Sequence, residues 1–271
     1  MIRLDPNNKN ALRLALPVSH LLTRPTAAAL RLVDATEVLE IKYLPVPDWL
    51  SSEAPTVFHW GLGTTEKDFG RLFPPVGSFL AENKVELFSF DLGPSASRRL
   101  GLIPLSAVLS PKEIIETSDR NLDLVRRFYA GPLAAENYNY YPTGLYEHIC
   151  RPDFIGEFLE RLKLGLVLDL AHAAVSAWNL GLEIKKYLAE LPLSEVKEIH
   201  ISRPHLPRDR RALAADAHQC PGAREFEWLK TVLNLLPPEL PPPLVAVEYY
   251  GNAAKLLTAI KEVREFDNNH L

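Results

Sequence analysis

The chain has 271 residues, 47% hydrophobic and 24% charged, and 30 Lys plus Arg against 34 Asp plus Glu leave a formal charge of −4. That length can bury a substantial core, and the charge balance offers no basic footprint for nucleic acid and no attraction to an acidic membrane. No apolar run approaches the ~20 residues of a membrane span, the N-terminus MIRLDPNNKNALRL lacks the hydrophobic region of a signal peptide, and two cysteines are too few for a disulfide framework, so the reducing cytoplasm is the expected compartment.

Short apolar or β-branched runs predict strands at 11–16 (ALRLAL), 38–43 (VLEIKY), 56–60 (TVFHW), 85–90 (VELFSF), 132–136 (PLAAE), 165–169 (GLVLD), 197–201 (KEIHI) and 244–248 (LVAVE). The clearest helices lie between them: Pro111 to Tyr129 with Ser110 as N-cap, Pro152–Lys163, Gly181–Leu191, Glu225–Leu236 and Asn252–Phe266. Near-continuous apolar strands alternating with helices argue for a parallel sheet covered by helices. Eight such units in one domain over 1–271 fit a closed (β/α)8 barrel; the rival doubly wound sheet would show a glycine-rich turn after its first strand, and LALPVSHLL has none. Residues 202–224 read as a long polar loop after the seventh strand. The 23 prolines, five of them in PPELPPP at 237–243, read as stiffened loops rather than a partner-binding polyproline segment.

Ionisable residues gather at the strand ends. His59 is near the end of strand three and Asp91 follows strand four; Glu136, Asp169 and Glu248 close strands five, six and eight, and His200 is near the end of strand seven. Such groups are costly to bury unless paired or metal-bound, and in a barrel these ends converge on the face that carries active sites. The following loops add His172, His205, Asp216 and His218. Oxygen and imidazole ligands without a cysteine cluster suit iron, manganese or zinc, and the supply exceeds the needs of one ion. Asp169 can also cap the turn that follows it. Asn137 and Asn179 are candidates to orient ligands or substrate, and Lys42 is either a base or electrostatic group, or a barrel ion pair with Glu40. Tyr138, Tyr140 and Tyr141 either line the mouth or pack. Cys150 and Cys220 read as free thiols, with a ligand or redox role open.

VFHWGLG, AENYNYY, GLVLDLAHAAVSAWNLG, VKEIHISRPH, DAHQCPG and VAVEY occur in that order across 56–250. Together they resemble the multinuclear non-haem iron family of the methanobactin- and thiaglutamate-biosynthesis oxidases, within the xylose-isomerase-like barrels. The resemblance implies two or three irons held by His59, Glu136, Asp169, His172, His200, Asp216, His218 and Glu248, with His205 as a second histidine after strand seven. It also implies oxidation of a cysteine in a peptide with dioxygen, the peptide being presented by a separate partner protein. Two positions depart from the pattern: SFDL places Asp91 where the family has a histidine, and the region of Cys220 replaces a histidine after Asp-x-His.

Three readings follow. The first is an iron oxidase or oxygenase acting on a peptide cysteine or small thiol. The second is a sugar isomerase or epimerase using one manganese or zinc, in which the carboxylates and histidines shuttle protons beside a polarised carbonyl. The third is a barrel that serves as a partner-binding protein.

Overall fold

The computed structural model describes residues 12–50, 53–96, 99–100 and 102–270. Eight parallel strands close into a barrel in chain order: β1 (Arg13–Pro17), β2 (Val38–Ile41), β3 (Thr56–Trp60), β4 (Val85–Asp91), β5 (Leu133–Glu136), β6 (Gly165–Asp169), β7 (Val196–Ile201) and β8 (Leu244–Val247). The closing pair sets Leu14 opposite Val245 and Ala15 opposite Ala246. Every expected strand forms, with ends shifted by a few residues. Residues 1–11, which include Ala11 and most of the N-terminal segment read for a signal peptide, lie outside the described residues.

Outside the barrel run α1 (Ala27–Val33), α2 (Pro74–Glu82), α3 (Pro111–Arg126), α4 (Pro152–Leu162), α5 (Leu170–Asn179), α6 (Ile184–Glu190), α7 (Ala223–Leu235) and α8 (Ala253–His270). Helix α3 opens with Pro111 behind a Ser110–Glu113 capping box. Helix α5 has no amphipathic signature in the sequence because Leu170 through Ala177 are all buried. Gly181, at φ +72°, follows it in the left-handed region. The helix read at Gly181–Leu191 accordingly begins later, at Ile184, with Glu183 as its N-cap. Among the described residues, no helix is long and apolar enough to cross a membrane.

Two apolar cores result. The larger fills the space between sheet and helices and includes Phe58, Phe73, Phe88, Phe158 and Tyr187; each large side chain buried there contributes about 1.5–3 kcal/mol. The smaller is the floor of the barrel, where Ala15, Val38, Val57, Ala134, Val167 and Ala246 meet. Because side chains alternate along a strand, the residues two places on from the floor also point inward. These are His59 after Val57, Glu136 after Ala134, Asp169 after Val167 and Glu248 after Ala246, while Glu40, two on from Val38, stands lower, in register with Val57. An apolar floor carrying an ionisable upper layer is the arrangement that positions the site.

The 202–224 segment is not simply a loop. Arg203–His205 and Ala215–Gln219 pair antiparallel as a hairpin, and α7 begins before the segment ends. PPELPPP joins α7 to β8, on the opposite end of the barrel from the ligand layer, and a Leu240–Pro237 backbone hydrogen bond makes part of it a turn.

Candidate metal centre

Glu136, the last residue of β5, sits at the middle of the upper layer. Its Oε1 accepts from His200 Nδ1 at 2.9 Å, and its Oε2 is 3.4 Å from His59 Nε2, which is also 3.5 Å from Asp91 Oδ1. Sheet register explains the meeting: Asp91 is the direct neighbour of Glu136, and Asp169 of His200. Two sets of potential ligand atoms, each within 4.8 Å of one another, share that carboxylate: Glu136, Asp169, His200 and Glu248 form one, and His59, Asp91 and Glu136 the other.

The loops after β6 and β7 supply a third corner. Asp169 caps α5, its Oδ1 accepting the His172 N–H at 2.7 Å, while its buried Oδ2 has no hydrogen-bond partner. One carboxylate thus serves both roles that the sequence left open. His172 donates from Nδ1 to the Asn137 carbonyl at 2.8 Å, which leaves Nε2, 3.7 Å from Asp216 Oδ2, as the ring nitrogen available to a ligand. The hairpin brings in Asp216 and His218; His218 bridges Asp216 (2.7 Å) and Glu248 (3.0 Å) through its two ring nitrogens. Its backbone is strained, at φ +40°. Asn179 ties this hairpin down: Nδ2 donates to the Tyr140 and Ala214 carbonyls, and Oδ1 accepts the Ala214 N–H.

Electrostatics records the crowding. Burial raises the Asp169 carboxyl to about 6. Burial also opposes ionisation of Glu136, but His59, His172 and His200 together hold it well below the usual carboxylate range. His218 resists burial and is pushed up to about 10 by its hydrogen bonds to Asp216 and Glu248. Lys42 is held protonated against burial by Glu248, which it contacts, and by Glu40 at 3.2 Å. Neighbouring carboxylates raise His172 and His200 against burial, so a cation bound through these nitrogens would displace protons from them.

A cavity of about 490 Å³ opens over these groups. Tyr43, Trp60, Leu62, Tyr138 and Tyr250 line it beside the ionisable residues. Tyr138 stacks on Tyr146, whereas Tyr140 and Tyr141 pack against the core.

The structure therefore brings together His59, Asp91, Glu136, Asp169, His172, His200, Asp216, His218 and Glu248, with Asn137, Asn179 and Lys42 beside them. His205 is the exception. It is exposed on the outer face of the hairpin and does not line the cavity, because alternation in the Arg203–His205 strand buries Pro204 instead. Neither thiol enters a ligand set. Buried Cys150 donates to the Tyr138 carbonyl at 3.2 Å, and Cys220 faces the Lys255 carbonyl at 3.9 Å. The sequence reading missed Glu198 entirely and saw Glu40 only as a partner for Lys42; both are fully buried.

The profile of the RiPP precursor modification enzymes MbnB/TglH/ChrH matches residues 53–268. The chain belongs to this family. The MbnB/TglH/ChrH assignment agrees with the resemblance carried by the strand-end motifs. Among curated relatives, a UPF0276 protein of Bordetella pertussis is 35% identical over 103 residues, 37% of this chain and 36% of that one. Another, from Paraburkholderia phytofirmans, is 32% identical over 122 residues, 44% of this chain and 38% of that one. The matched segments thus span well under half of those relatives. Solved structures share the fold. A xylose isomerase domain-containing protein of Salmonella typhimurium superposes with a TM-score of 0.67 at 12% identity, covering 96% of this chain and 98% of that one. The IolI protein, determined with a bound zinc, gives 0.62 at 14%, covering 94% and 98%. This MbnB/TglH/ChrH member is a xylose-isomerase-like (β/α)8 barrel whose upper layer has the composition and geometry to bind metal.

Proposed function

We propose that the protein is a multi-iron oxidase or oxygenase that modifies a cysteine in a peptide or a small thiol. The observation that carries this reading is the sharing of Glu136 between two ligand sets. A carboxylate with one oxygen toward His59 and the other toward His200 suits a bridge between two cations, which single-ion isomerase chemistry does not require. The donor set fits: the orphaned Asp169 Oδ2 and the Nε2 of His172 are presented to the same space, and mixed carboxylate–imidazole ligation suits iron as well as manganese or zinc. Membership of a peptide-modifying family supports the substrate class.

Glu136, Asp169, His200 and Glu248 would hold one ion, and His59, Asp91 and Glu136 a second. His172, Asp216 and His218 stand where a third would be held. Bound iron would supply a Lewis acid for a thiolate and a redox partner for dioxygen. The chain itself contributes the remaining steps. The aromatic wall of Tyr43, Trp60 and Tyr250 orients an apolar part of the substrate and limits water, and the cavity is of a size usual for small-ligand sites. Lys42 keeps Glu248 ionised, and Asn137 directs His172. Presentation of the peptide by a separate protein is part of the proposal.

The test is anaerobic reconstitution with ferrous iron, metal counting, and then oxygen uptake with cysteine peptides and thiols followed by mass spectrometry. Two or three irons per chain and a mass change in a thiol substrate are expected. The second reading, a sugar isomerase or epimerase, draws on the four-ligand set alone and on neighbours such as an L-ribulose 3-epimerase at TM-score 0.57. One manganese or zinc per chain, with ketose turnover and no oxygen uptake, would replace the oxidase reading.

A further inference from the structure

Beneath the upper layer lies a second gathering of polar atoms that the chemistry above does not use. Glu198 stands in register with Val167 and Leu244, at the level where neighbouring strands contribute apolar side chains to the floor. Glu40 approaches from β2. Both side chains are fully buried, and among the described residues none of their four carboxylate oxygens has a hydrogen-bond partner, although Lys42 Nζ stands within ion-pair distance of Glu40 Oε1. His200 lies between the two levels. Its Nδ1 faces upward and bonds Glu136, while its Nε2 faces downward, buried and without a hydrogen-bond partner.

The spacing of these atoms is informative. His200 Nε2 is 3.4 Å from Glu40 Oε1 and 3.7 Å from Glu198 Oε1, and one ligand atom from each residue falls within a 4.8 Å group. A simple carboxylate–imidazole relay would close to about 2.8 Å, as the upper face of the same ring does. By contrast, two ligands each about 2.1 Å from one ion at a tetrahedral angle stand about 3.4 Å apart. Two desolvated carboxylates also repel each other unless a positive charge lies between them. Lys42 meets Glu40 at 3.2 Å, but the described cation within ion-pair reach of Glu198 is His200 alone. An apolar residue at position 198 would simply continue the floor.

We propose that Glu40, Glu198 and Nε2 of His200 form a deep divalent-cation site beneath the upper ligand sets, sharing only the His200 ring with them as an imidazolate whose protons pass to solvent, and suited to Mn(II), Fe(II) or Zn(II). It places a fixed positive charge behind His200, and that ring links the deep site to the upper one. The site does not rest on the oxidase reading, since any metal-dependent use of the barrel accommodates it.

Crystals of the protein grown with Mn(II) and measured for anomalous scattering provide the test. A peak is expected between Glu40 and Glu198, besides any in the upper layer. Glu198→Gln, nearly isosteric, should lose that peak, retain the upper ones and hold one ion fewer by elemental analysis. Glu40→Gln reads the same site from another strand. An occupied upper layer with no density between Glu40 and Glu198 in the wild-type protein overturns the proposal, as does an E198Q protein that keeps the deep ion. A deep peak beneath an empty upper layer would sustain this site and count against the function proposed above.

Discussion

Asn137 grips Asp169 by both backbone groups: its Nδ2 donates to the Asp169 carbonyl at 3.0 Å, and its Oδ1 accepts the Asp169 N–H at 2.8 Å. One amide side chain thereby joins the ends of β5 and β6, while the backbone carbonyl of Asn137 accepts from His172 Nδ1. We predict that Asn137→Ala destabilises the fold by about 1–3 kcal/mol, because it leaves the buried Asp169 N–H unpaired and removes one of the bonds to the Asp169 carbonyl. Denaturant titration measures this; a loss below about 0.5 kcal/mol would show that the contact is dispensable.

Asp169→Asn separates stability from metal binding. The amide oxygen can still cap α5 by accepting the His172 N–H, but the buried charge, whose carboxyl burial raises to about 6, is gone. Metal-free D169N should be as stable as the wild type, or more stable by about 1–3 kcal/mol above pH 6, and should retain less metal. Melting curves and elemental analysis of the same preparations check both halves. A variant that keeps its full metal complement would remove Asp169 from the ligand set.

The stability of the metal-free protein should fall as pH rises from 6.5 to 10. His218 titrates near its ordinary value when unfolded and at about 10 when held between Asp216 and Glu248. Its contribution is therefore complete below 6.5 and disappears as pH climbs through 10. His172 and His200, both raised by neighbouring carboxylates against burial, act in the same direction. Melting temperatures across this window should decline, and His218→Gln should make the decline shallower. An unchanged slope in the variant would contradict the assignment to His218.

The two histidines of the hairpin segment should behave oppositely. His205→Ala changes an exposed residue, so stability should move by no more than about 0.5 kcal/mol and metal content should stay constant. His218→Ala should lower metal content. Asn179→Ala should also lower it, through loss of the three hydrogen bonds that seat the hairpin at Ala214 and Tyr140, at a cost of about 1–3 kcal/mol. Elemental analysis of the three variants compares them directly, and metal loss in H205A would reverse the assignment of faces.

The eight strands and their charged ends were readable because burial on both faces leaves continuous apolar runs, an imprint that needs no knowledge of partners. Helix α5 was less legible for the complementary reason: being buried on every side, it lost the one-sided pattern by which helices are recognised. Glu198 was missed for a related reason. In Lys197-Glu198-Ile199-His200-Ile201, a polar residue alternating with isoleucine ordinarily faces solvent, yet here both isoleucines are buried outward beneath helices while Glu198 and His200 point into the barrel. Closure of the sheet inverts the usual meaning of the alternation.

Chemical character, then, was local. The run lengths, the carboxylates that end them and the order of the motifs were already present in the linear chain, and they specified a barrel with metal-binding ends. Which donors meet was decided only by closure and register. These bring Glu136 between His59 and His200, turn the two faces of one imidazole toward different carboxylates, and carry His218 inward while leaving His205 in solvent. Ligand geometry is set by distances between strands far apart in sequence, and a linear pattern encodes those distances only through the fold that it produces.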